Sequence, residues 1–89
     1  MQTIQKRVNC GYEIIDTVRV SNNLEFVTAA SMCNPNSFVT WGCTNGDNYF
    51  WGHYFINRER ALADMHTRAA DEFENMNTKR ETDIEPKYN

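Results

Sequence analysis

The 89-residue chain predicts a single α+β domain: a four-stranded antiparallel β-meander followed by one C-terminal amphipathic helix packed on one sheet face. Three features carry this expectation. Residues 12–32 show strand-like alternation around an Asn-rich turn. An Asn-Gly pair divides two aromatic runs, and one helical stripe follows Asn57.

Residues 1–11 are polar and mildly basic, and read as an arm or a short strand. In YEIIDTVRV (residues 12–20), Ile14, Val18 and Val20 share one face, with Asp16 and Ile15 as exceptions. Ser21-Asn22-Asn23 is a turn, since Asn tolerates left-handed backbone angles. A three-residue loop there sets Arg19 opposite Glu25 and Val18 opposite Phe26, matching opposite charges and apolar partners.

After a loop around Pro35 comes FVTWGCT-NG-DNYFWGHYF. A two-residue turn at Asn45-Gly46 suits the type I′ geometry that closes hairpins. Centring the turn there pairs Thr44 with Asp47, Trp41 with Phe50 and Thr40 with Trp51. One face then carries Val39, Trp41, Cys43, Phe50 and Tyr54. The other carries Phe38, Thr40, Tyr49, Trp51, His53 and Phe55.

Asn57 is the expected N-cap of a helix over residues 58–75. Leu62, Met65, Ala69, Phe73 and Met76 form its apolar stripe. Arg60, Asp64, Arg68 and Glu72 form an i,i+4 ladder, read as a solvated face or the rim of an interface. The domain is thus expected over residues 12–76, with a flexible polar tail over 77–89.

Composition narrows function. Net charge is −3 and the pI about 5.2, without the basic face of a general nucleic-acid binder. From Arg58 onward the chain carries eight of its twelve acids and six of its nine bases, an ordinary mixed surface rather than a polyanion. Three cysteines, an odd number without a CxxC pair, read as reduced thiols in a cytoplasmic protein. There is no apolar run of about 18 residues to span a membrane. Cys10, Cys33, Cys43, His53 and His66 lack metal-ligand spacing. A Cys43–His53 nucleophile pair is opposed by the register, which puts the two on opposite sheet faces. No enzymatic activity, metal or cofactor is therefore expected.

The aromatic hairpin is the feature most open to function. One helix cannot cover both faces of a four-stranded sheet. Either the second face is a docking platform, or the sheet curls and the arm or tail covers it. A base-stacking platform for single-stranded nucleic acid is an alternative, weakened by the lack of Lys or Arg between Phe38 and Asn57. Self-association through an open sheet edge is another.

The run FVTWGCTNGDNYFWGHYF followed by NRERALADMHTRAADEF resembles small uncharacterised proteins of bacterial mobile elements and phages, over roughly residues 12–75. Such proteins are often host-directed inhibitors, anti-CRISPR proteins among them. The resemblance implies an inhibitor of the bacterial cytoplasm that sterically blocks a host protein such as a CRISPR-Cas nuclease. The expected partner-binding residues are Phe38, Tyr49, Trp51 and His53 on the sheet. Asp47, Glu72 and Glu74 would oppose basic surface on the partner.

Overall fold

A computed structural model of the chain describes residues 6–84, the side chains of 77–84 apart. Five strands precede one helix: β1 (Val8–Asn9), β2 (Tyr12–Arg19), β3 (Leu24–Ser31), β4 (Phe38–Thr44), β5 (Asn48–Phe55) and α1 (Arg58–Ile84). The strands form one antiparallel sheet in the order β1-β2-β3-β4-β5, and α1 packs on one face. The α+β meander is as expected, with a fifth strand added.

That strand comes from a turn in the arm. Cys10 and Gly11 take φ values of 52° and 82°, the double left-handed geometry of a two-residue hairpin, and pair Val8 with Glu13 and Asn9 with Tyr12. The signal was present: Gly11 accepts this conformation without steric cost. Residues 1–5 lie outside the described residues.

The expected β2–β3 register holds, with Arg19 opposite Glu25 and Val18 opposite Phe26. The side chains do not pair as expected. Arg19 donates to the carbonyls of Ser21 and Asn22, while the Glu25 carboxylate is held by Arg7 at 2.8 Å. Between Ile14 and Asp16 the register shifts by one residue. This β-bulge puts the two halves of the strand on opposite faces: Val18 and Val20 pack under the helix, whereas Ile14, expected on their face, packs with Tyr12 on the other.

The β4–β5 hairpin departs further. Asn45 and Gly46 are left-handed as expected, at φ 56° and 82°, but pairing resumes at Thr44 with Asn48, leaving Asp47 in the loop. A one-residue slip turns side chains to the other face. Tyr49 therefore lies opposite Cys43, on the face away from the helix, and Phe50 lies opposite Gly42, on the helix face. Beyond Trp41 a second shift sets His53 opposite Thr40, Tyr54 opposite Val39 and Phe55 opposite Phe38. Two slips cancel, so only Tyr49 and Phe50 exchange faces relative to the expectation.

Each face has its own core. Val20, Phe26, Met65 and Ala69 are buried between sheet and helix, with Val18, Leu24 and Leu62 packed around them. Val27, Ala29, Val39, Trp41 and Cys43 are buried on the opposite face, with Tyr12, Ile14 and Tyr49 against them. The sheet curls to achieve this. Tyr12 of β2 and Tyr54 of β5 have ring centroids 6.2 Å apart, although their strands are separated by three spacings, roughly 14 Å in a flat sheet. Tyr12 also meets Trp41 edge-on at 5.8 Å, and Trp41 meets Tyr49 at 5.4 Å. The arm closes one end, where Arg7 reaches Glu25, the Tyr49 hydroxyl and the Gly46 carbonyl.

Asn57 caps α1 as expected: its Oδ1 accepts the Arg60 N–H at 3.0 Å. The helix continues to Ile84 rather than ending near Asn75, and so takes in the segment read as a polar tail up to that residue. No proline or glycine interrupts the sequence between Asn57 and Ile84. Of the expected stripe, Met65 and Ala69 are buried and Leu62 half-buried, whereas Phe73 and Met76 are exposed. Residues 85–89 lie outside the described residues.

Gly42 marks the tightest packing. A Cβ there would stand 2.5 Å from the Phe50 ring and 3.3 Å from the Phe26 ring. Gly42→Ala is expected to destabilise the fold by about 1–3 kcal/mol through overpacking. Thermal melting should record this as a fall of several degrees; an unchanged midpoint would mean that Phe50 is free to move aside.

Candidate functional site

A polar network outside the cores joins α1 to the β4–β5 hairpin. Thr40 projects from β4 towards the helix, and its hydroxyl donates to Asp64 Oδ2 at 2.6 Å. His53 Nδ1 lies 2.9 Å from the same carboxylate oxygen. Arg68, one turn further along α1, donates to the Thr40 carbonyl at 3.1 Å, to the Thr40 hydroxyl at 3.0 Å and to the Trp51 carbonyl at 2.8 Å. Its guanidinium covers the Phe26 ring at 5.2 Å, and Asp64 stands 3.9 Å away. Burial pushes the Arg68 pKa below its ordinary value, and the neighbouring Asp64 charge opposes that shift.

Two members of the expected surface ladder therefore face the sheet. Asp64 and Arg68 are a linked pair between helix and strands, not a solvated face. Arg60 has no ion pair among the described residues, because the carboxylate four residues on has turned inward.

The carbonyl that Arg68 takes belongs to an unusual residue. Trp51 has φ 53° and a side chain 76% exposed. With Gly52 it forms the bulge opposite Trp41. A left-handed residue with a Cβ costs about 1–2 kcal/mol. Gly52, the next residue, does not have positive φ, so the strain falls on the bulkier neighbour. Phe50 meets the exposed indole edge-on at 5.2 Å. Tyr54 and Ile56 are exposed as well, at 64% and 83%; Tyr54 lies opposite Val39, on the face away from the helix.

The expected partner-binding residues do not form one patch. His53 meets Asp64 through its ring, and Trp51 meets Arg68 through its backbone carbonyl alone. Phe38 is half-buried opposite Phe55. Tyr49 is on the other face, half-buried between Trp41 and Arg7, and this removes it from any platform shared with Trp51. Asp47 is exposed in the hairpin loop; on α1, Glu74 is exposed and Glu72 half-buried. Sequence reasoning missed Tyr54, Ile56, Asp64 and Arg68. The inward turn of Asp64 and Arg68 had one available signal, the small polar Thr40 between Val39 and Trp41 in β4.

Cys43 and His53 lie on opposite faces, against Tyr49 and Asp64 respectively. Burial, and then the Glu25 charge, raises the Cys43 pKa, so its thiolate is disfavoured. No helix among the described residues is long and apolar enough to cross a membrane. No family model matches the chain, and neither a curated protein nor a solved structure matches it.

Two measurements check this geometry. Arg68→Met, which keeps the stem and removes the donors, should cost about 1.5–3 kcal/mol in urea unfolding, the range for hydrogen bonds to a charged group. A loss below about 0.5 kcal/mol would mean that the bracket is not structural. With a thiol reagent at moderately alkaline pH, Cys10 and Cys33, both exposed, should react at once and buried Cys43 only on unfolding. The raised folded pKa of Cys43 contributes stability that is present below the ordinary thiol pKa of about 8.5 and declines as pH rises above it.

Proposed function

We propose that this chain is a non-enzymatic binding protein that docks a partner protein through the bulged strand β5, with Trp51 as the anchor. The observation that carries the reading is an indole 76% exposed on a left-handed backbone that Arg68 holds by its carbonyl. Strain of this kind persists where the surroundings over-determine it, and it clusters at functional sites. Tryptophan in turn is enriched among residues that dominate interface energetics. Exposed Tyr54 and Ile56 follow Trp51 along the strand and its turn, and His53, bonded to Asp64 through Nδ1, offers its second ring nitrogen to a partner. Tyr49 has no part in this surface.

The resemblance to proteins of phages and mobile elements supplies the kind of partner: a host protein, most concretely a CRISPR-Cas nuclease blocked sterically. Asp47, Glu72 and Glu74 would steer the approach to a basic surface rather than anchor it, because exposed charges act chiefly on association rate.

Trp51→Gly tests the anchor without threatening the fold. Glycine removes the left-handed penalty of about 1–2 kcal/mol and adds about 0.5–1 kcal/mol of backbone entropy cost, so stability should hold or rise slightly. Proteins captured from host lysate by the wild-type chain should bind the variant at least roughly 30-fold more weakly, the loss of about 2 kcal/mol that defines a hot spot. Unchanged capture by a folded Trp51→Gly chain would overturn the site.

A further inference from the structure

An open groove of about 650 Å³ lies where β5 gives way to α1, lined by Ser37, Tyr54, Phe55, Ile56, Asn57 and Arg60. Its volume is in the range of ligand-binding clefts. One wall is apolar: Tyr54 is 64% and Ile56 83% exposed. The other is cationic. Arg60 is exposed and has no ion pair among the described residues, since Asp64 is held by Thr40, His53 and Arg68. The groove also lies at the N-terminal end of α1, where the backbone dipole adds positive potential. An unneutralised guanidinium beside exposed apolar side chains is complementary to a carboxylate next to an apolar group.

Resting on the β5 docking surface proposed above, we infer that this groove receives an extended, acidic segment of the partner protein. An apolar side chain of that segment rests on Tyr54 and Ile56, and an adjacent Asp or Glu carboxylate meets Arg60.

Two capped tripeptides, acetyl-Phe-Leu-Asp-amide and acetyl-Phe-Leu-Asn-amide, test the inference on the full chain by amide-resolved NMR titration to millimolar concentration. The expected result is saturable shifts at Ser37, Ile56, Asn57 and Arg60, with the Asp peptide preferred by roughly two- to fivefold, the factor an exposed ion pair supplies. Arg60→Gln should abolish the preference and leave the weaker apolar binding. Absence of saturable shifts, or equal binding of the two peptides, overturns the inference. So does tighter binding of acetyl-Phe-Leu-Asn with a free C-terminal carboxylate, which would make the site a receptor for chain ends. If the peptides fail while capture of the partner still depends on Trp51, the groove assignment falls and the β5 reading stands.

Discussion

Arg68 connects the helix to the part of the sheet that departs most from regular geometry. A bulge leaves strand carbonyls without their usual ladder partners, and a buried carbonyl without a donor is costly. Arg68 donates to the carbonyls of both Thr40 and Trp51, one on each strand flanking the bulge. The guanidinium can be buried because Asp64 neutralises it and the Phe26 ring covers it. Helix docking, strand irregularity and the presentation of Trp51 thus share one side chain.

The two bulges also decide what happens to the surplus of aromatic rings. A flat sheet with one covering helix would leave Trp41 and Tyr49 in water. Bulges in β2 and β5 bend the sheet, Tyr12 and Tyr49 pack against Trp41, and Trp41 falls to 5% exposure. Each large ring so covered removes an area on the order of 150 Å² or more from water. The curl of the sheet and the arm together cover the second face, and the Arg7–Glu25 pair fixes that arm over the buried Cys43. In the aromatic hairpin and the turn after it, the exposed apolar residues are then Trp51, Tyr54 and Ile56 rather than a broad platform. The bulge in β5 blunts that edge of the sheet against indiscriminate strand addition, and the opposite edge is the two-residue β1.

Much of the fold was legible because its signals are local. Alternation, the Asn-Gly pair, the Asn57 cap and the Met65–Ala69 stripe each depend on neighbours within a few residues. The site was legible only in part. Trp51 and His53 could be singled out as residues, but their association with Asp64 and Arg68 spans 11 and 17 positions in sequence and runs through a bulge. Tyr49 was misplaced because the Asn-Gly turn closes one residue later than its two-residue form, and a period of two turns any such slip into the opposite face.

By itself the sequence determined an α+β meander with a C-terminal helix, the β2–β3 register between the turn and Asp16, and the helix N-cap. Each is set by hydrophobic periodicity or by a short-range hydrogen bond. Only the tertiary structure decided which charges are solvated and which rings are hidden. Arg60 and Arg68 sit on one helix at equivalent spacing from Asp64, yet Arg60 has no ion pair among the described residues while Arg68 is largely buried, because only Arg68 meets the Thr40 and Trp51 carbonyls across from it. That choice belongs to the sheet's curvature, which no periodicity along a single chain encodes.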